Sequence, residues 1–463
     1  MKTNSCLVKR LVLIGSTCGF VCVTLLLTAG KSPGKYAAHE WGTFTSVQGT
    51  DGVLLQWHPL ESSVLPNFVY NWQHPGLNRQ SGAALTLTKE VIMTLQRMET
   101  PVIYFYTDEP RTVDVSVNFP QGKITEWYPQ AAQIGPSYVP TPPAVTTLDS
   151  YAHKAGVKSS FTFASWTKDK NVKESRARWA SVELLPPRET RDLARALPFD
   201  RSGSHYFAAR DTDAALLRVD SLTATNPAPE MEKFIFYRGV GNFTTPLKVT
   251  MNSGNTVTME NTGSEALANL FVLGLENEAG KFVEVDSLAP GQNRTVELNW
   301  QRQPERLEKL SAALGDQVAH ALVAQGLYNR EATAMVNTWK DSWFTEDGLR
   351  VLYILPRAWT DRTLPLTITP APREVARVMV GRAEVITSSV KERLSTALTK
   401  ADDGDANARA DAIAQFKTLG RFAQPALTLA TKDSNQKIRQ TAWQLYQEAS
   451  APPTRLASAS QYE

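Results

Sequence analysis

The sequence predicts a mainly β protein of antiparallel, sandwich-like regions, carrying an inserted helical pair and an α-helical, HEAT-like C-terminal segment. Three observations carry that class. Val113, Val115, Val117 and Phe119 alternate with Thr112, Asp114, Ser116 and Asn118, the period of two of a half-buried strand. Between residues 232 and 300 short apolar runs (KFIFYRGV, LKVTMN, TVTMENTG, NLFVLGLEN, TVELNW) recur between the turn signals NSGN, NTGS, NEAG and APGQ, the rhythm of antiparallel sheets. From Pro304 to Trp343 the period lengthens: Leu307, Leu310, Leu314, Val318, Leu322, Met335 and Trp339 step by three and four, with Gly326 as the break between two helices.

Taken in order, residues 1–10 are short and basic and Leu11–Ala29 is an uncharged apolar run, the n-region and h-region of an export signal. Thr28 and Gly30 suit cleavage before Lys31. The run also approaches the roughly 20 residues that span a bilayer, so an uncleaved anchor is the alternative. Lipidation is disfavoured, because Val21 precedes Cys22 and Gly15 stands where a leucine is wanted before Cys18. With the basic end held inside, residues after 31 are expected in the periplasm or cell envelope.

Residues 33–100 hold strand-like pieces (WGTFTSV, VLLQW) broken by turns such as GTDG, and 86–98 have the pattern of a short helix. PVIYFYT and TVDVSVNF follow, with PQG turning into the partner strand KITEWYP. VPTPPAV at 139–145 is a connector, and SSFTFASW and ASVELLP are further strand candidates. After the helical pair, 349–368 return to strand (LRVLYILP, LPLTITP). From 384 the chain is helical, with Ile413, Phe416 and Leu419 on one face, Pro425 opening the next helix and Ile438, Ala442 and Leu445 after it. Such a segment is shorter than the about three repeats a solenoid needs, so it should dock on the β body or on a partner. The expected division is 1–30, signal peptide or N-terminal membrane anchor; 37–225, β-rich; 226–300, sandwich-like; 301–383, helical pair then strands; 384–450, HEAT-like helices; and 451–463, a tail.

Composition narrows the function. Hydrophobic residues at 42% and charged residues at 21% are ordinary for a globular chain. The net charge of +3 comes from Lys2, Lys9 and Arg10 in the leader, leaving 46 basic against 46 acidic residues. Such a balance gives no footprint for nucleic acid, and it leaves a membrane contact only through an uncleaved leader. The three cysteines, Cys6, Cys18 and Cys22, also lie in the leader, so the rest of the chain has no disulfide, thiolate site or cysteine nucleophile.

HEWGTFT (39–45), METPVIYFYT (98–107), EKFIFYRGVGNF (232–243) and SWFTEDGLRVLYILPRAWTDRTLPL (342–366) together resemble an uncharacterised family of exported bacterial proteins that shares the HEWGTFT motif. The resemblance spans most of the chain and implies export. It brings no catalytic residue and no cofactor.

Candidate sites follow from residue chemistry. His39, His58 and His74, with Glu40, are the candidate metal ligands. They lack the fixed helical spacing of HExxH, so structural roles are favoured and no cofactor is expected. Asp211 and Asp213, with His205 and Arg210 nearby, form a polar cluster that lacks the further ligands and glycine of a calcium loop; a solvated loop or a buried Arg/Asp pair is favoured. DDGDAN at 402–407 fails the same test. Eleven tryptophans in an exported chain raise sugar stacking, and Glu40 with Glu126 is the carboxylate pair that glycan hydrolysis would need. There is no G-x-S-x-G elbow, Ser202 to His205 are too local for a triad, and the phosphate-binding loops are absent. Glu40, Glu126, His205 and Asp211 are therefore the candidate catalytic residues. The expectation is a non-catalytic envelope binding or scaffold protein, whose partner is another envelope protein or a glycan; a glycan-binding or glycan-hydrolysing enzyme is the alternative.

Overall fold

The computed structural model describes residues 35–57, 65–71, 94–135, 174–190, 193, 197–220, 228–252, 256–299 and 304–402, with parts of 403–449. Lys35–Glu463 forms one compact unit. The leader, His58, His74, the 139–145 connector, SSFTFASW and Ile413, Phe416 and Leu419 lie outside the described residues.

The strands begin with β1 (Tyr36–Gln48), β2 (Gln96–Thr107), β3 (Arg111–Phe119), β4 (Gly122–Tyr128), β5 (Ser175–Leu185), β6 (Leu216–Val219) and β7 (Ile235–Gly241). Next come β8 (Leu247–Asn252), β9 (Thr256–Asn261), β10 (Leu267–Glu276), β11 (Ala279–Leu288) and β12 (Asn293–Glu297). Helices α1 (Leu307–Ala324) and α2 (Asn329–Phe344) then lead to β13 (Gly348–Ile354), α3 (Arg357–Thr363), β14 (Leu366–Thr369) and β15 (Glu374–Val385). Two further helices, α4 (Ser388–Asp402) and α5 (Gln436–Ala449), follow.

An eleven-stranded sheet runs β11–β10–β13–β15–β1–β2–β7–β4, with short strands at its rims. It draws on residues from 36 to 385. A six-stranded sheet containing β6–β5–β3–β14 lies on one face, where Trp179 meets Tyr237 and Phe119 meets Phe44. The α1–α2 pair covers the other face: His39 packs on Tyr328, and Arg382 reaches Ser342 at the end of α2. A three-stranded sheet, β8–β9–β12, is hydrogen-bonded separately from these two but shares their core through Leu247, Val249, Val257 and Met259.

The mainly β plan with an inserted helical pair is therefore present. Gly326, at φ +107, makes the turn between α1 and α2, a conformation in which glycine carries no Cβ penalty. Three expectations need correction. Residues 357–363 form α3 between two strands, and Gln96–Met98, read as the end of a helix, open β2. The sheet is also not wholly antiparallel, since β1 runs parallel to β15 from Ala37↔Glu374 to Gln48↔Val385. A parallel pair needs a crossover connection, and here it is residues 49–373, far beyond the reach of any local periodicity.

β1 is buried along all 13 residues because it lies between two covering layers. Gly42 is required there by close approach: a Cβ would lie 2.9 Å from Pro101 Cα and 3.0 Å from Met379 Sδ. Opposite it, β2 bulges at Thr100, at φ +47, and the register slips between Trp41 and Thr43. The C-terminal helices join a second core with Val47 and Trp57, in which Val390, Leu394 and Ala442 are buried. The segment thus docks on the β body; a HEAT repeat is not visible in its few described helices.

Candidate functional site

Glu40 lies on β1 beside its register partner Arg377 on β15. The Arg377 Nε donates to Glu40 Oε2 at 2.5 Å, Nη1 to Asp361 Oδ1 at 2.7 Å and Nη2 to the Leu364 carbonyl at 2.6 Å. The Tyr237 hydroxyl donates to the other Glu40 oxygen. Glu40, Arg377 and Tyr237 are all buried. Burial opposes the Arg377 charge, yet the Glu40 carboxylate outweighs it and holds the guanidinium above its ordinary range. Burial, and then the Glu40 charge, raise the Tyr237 phenol well above its usual value.

Glu126 on β4 faces Arg238 on β7, which donates from Nε to Oε2 at 2.7 Å and from Nη2 to Oε1 at 2.8 Å. This is the two-pronged geometry of a tight guanidinium–carboxylate pair. Arg238 follows Tyr237, which reaches Glu40, and neighbours on a strand point to opposite faces. Glu40 and Glu126 therefore occupy opposite faces of the sheet, each against its own arginine, and the structure does not bring them together. His205 is exposed at the start of the 3-10 turn His205–Arg210. Asp211 and Asp213 are exposed and each is bound by Arg330 at the start of α2. These are solvent-exposed ion pairs rather than a buried one, and one arginine serves both aspartates from 119 and 117 residues away.

His39 donates from Nδ1 to Glu331 Oε2 at 2.7 Å, and the same oxygen accepts the Tyr328 backbone N–H that caps α2. Nε2 of this fully buried ring faces Glu374 Oε1 at 3.5 Å and makes no hydrogen bond among the described residues. No three His, Cys, Asp or Glu side chains converge as metal ligands among the described residues. His39 thus ties β1 to α2.

The opening near this cluster is a groove of about 270 Å³ beside the first half of β15. β13 pairs with β15 only over Val380–Val385, and Leu355 N–H donates to the Met379 carbonyl as the chain turns away. Among the described residues no strand pairs with the Glu374–Val378 edge away from β1. Gln325, Gly326, Leu355 and Arg357 form the other walls. Arg357 Nη1 donates to the Val375 carbonyl at 2.7 Å, so that carbonyl points into the groove.

Sequence reading missed Arg377, Arg238, Arg382 and this open edge. Its available signal was charge inside strands: EVARVMVGRAEV places two arginines and a glutamate within an apolar run, and such charges must be paired when buried. On the helix-covered face, buried Arg350, Arg382 and Glu384 form a second such network, with Arg350 Nη1 also donating to the Trp343 carbonyl.

No family model matches the chain, and no curated protein matches it. Among solved structures, it is similar at 8% identity and a TM-score of 0.26 to the Fcho1 Mu homology domain of Danio rerio with bound Eps15 peptide, over 76% of this chain and 97% of that one. It is similar at 6% identity and a TM-score of 0.25 to the yeast delta-COP-I mu-homology domain, both complexed with a Dsl1 WxWxV peptide and without it, over 76% of this chain and 98% of each of those chains.

Proposed function

We propose that this chain is an exported cell-envelope protein of the HEWGTFT-bearing bacterial family, which binds or scaffolds another envelope protein without catalysing a reaction. The observation that carries the reading is the state of the two carboxylates. A glycosidase needs both across one bond, about 5 to 10 Å apart, with one able to hold a proton. Glu40 and Glu126 are instead buried on opposite faces and committed to Arg377 and Arg238. Trp41, Trp57, Trp127, Trp179 and Trp343 are fully buried in the core and closed to sugar stacking, while Trp443 on α5 is 54% exposed.

Two measurements test this. A reporter fused after residue 50 should be active only outside the cytoplasm. The tagged chain, recovered from its own cell envelope after cross-linking, should carry a protein partner in fixed proportion and release no reducing ends from envelope polysaccharide. Cytoplasmic reporter activity, or hydrolysis abolished by Glu126→Gln, would overturn the proposal.

A further inference from the structure

We infer that the open edge of β15 at Glu374–Val378 accepts an extended segment of a partner protein as an added strand; this rests on the reading of the chain as a protein-binding one. Three observations lead there. First, β15 is fully paired on one side, with β1, and on the other only from Val380. Along the open side no backbone hydrogen bond reaches another strand among the described residues between Glu374 and Val378. Second, the orientation is fixed. The Val375 and Met379 carbonyls both point to the side of β15 away from β1, where they accept from Arg357 and Leu355. Because alternate residues of a strand point their peptide groups to the same side, the Arg377 peptide and the Val375 N–H also face the groove. Third, the space of about 270 Å³ lies near the lower end of ligand sites, about 300 Å³. It suits a few residues of extended chain rather than a folded domain.

The side chains specify the partner's chemistry. Glu374 lies on the face shared with His39, and its carboxylate is 59% exposed. Arg357 stands across the strand with its side chain 46% exposed; its Nε is paired with Asp361 Oδ2 at 2.8 Å and its Nη1 with the Val375 carbonyl, so an acidic residue of the partner would share this guanidinium with Asp361. Adjacent residues of an added strand would point alternately at these two groups. A basic residue followed or preceded by an acidic one therefore matches the groove. Main-chain bonds would supply the affinity and this charge pair the register.

The test uses residues 35–463 and the fluorescein-labelled hexapeptide Thr-Val-Lys-Glu-Val-Thr, followed by fluorescence anisotropy. Val375→Pro removes the open-side N–H and leaves the β1 ladder intact, since proline is tolerated where its missing donor faces away from the neighbouring strand. It should weaken binding about tenfold or more, while Val375→Thr binds as the parent does. Should Val375→Pro fail to fold, the parent decides the matter with a peptide N-methylated at alternate residues, which should not bind. Equal binding of the methylated and plain peptides, or of folded Val375→Pro and the parent, overturns strand addition. So does the absence of binding to the parent. If an envelope partner still co-purifies in that event, the binding role stands and only its mode falls.

Discussion

At the residue scale, Glu40 shows how an unseen partner changes the meaning of a side chain. Read from sequence, a carboxylate in HEWGTFT is either solvated and replaceable or functional and strained; with Arg377 2% exposed against it, it is neither. Removing one member of a buried ion pair strands the other, at about 3 to 5 kcal/mol. Asp361 retains a hold on Arg377, so Glu40→Gln should destabilise the fold by about 2 to 4 kcal/mol in urea unfolding. A second change, Arg377→Met, should recover part of that loss, and an unchanged midpoint for Glu40→Gln would contradict the pairing. Trp41, by contrast, was legible as core from its place in an apolar strand, and it is fully buried beside Tyr104. Trp41→Ala should cost about 3 to 5 kcal/mol by the same measurement. Lys123 gives a pH-dependent prediction. Burial lowers its ammonium from 10.5 to about 7, so between those values the unfolded chain binds the extra proton and stability rises with pH. Urea unfolding should show stability rising between pH 7 and pH 10, and Lys123→Met should flatten that rise.

At the scale of elements, local pattern and local structure agree where neighbours in sequence are neighbours in space. The alternation of residues 112–119 gives β3, PQG gives the turn into β4, and the three-and-four spacing gives α1 and α2. The pattern says nothing about β1 meeting β15, because burial on both faces erases alternation and pairing partners carry no local mark. The docked tail makes a testable case. Truncation after Thr387 removes α4 and α5 and should uncover Val47, Trp57 and Ile386, which share their core. The shortened protein should bind an apolar dye and lose amide protection at the Gln48 end of β1 while the Tyr36 end keeps it.

At the scale of the molecule, β7 lies between β2 and β4 although β3, β5 and β6 intervene in sequence. The large sheet cannot open at one domain boundary without losing a central strand. Residues 35–463 should therefore unfold in a single transition whose calorimetric and van't Hoff enthalpies agree. A protease site placed within 221–227 should yield two fragments that elute together until denatured. The parallel seam between β1 and β15 also sets an order of events during synthesis. The strand that forms the middle of the sheet leaves the ribosome early, and its neighbour follows 337 residues later, the separation of Glu40 from Arg377. At about 5 to 20 residues per second that is a wait of roughly 20 to 70 s. Throughout it, β1 can pair with β2 on one edge, but its other edge lacks β15 and the Glu40 carboxylate lacks its arginine. A nascent chain arrested before residue 374 should accordingly remain protease-sensitive in β1, and release of the full chain should protect β1 and β15 together.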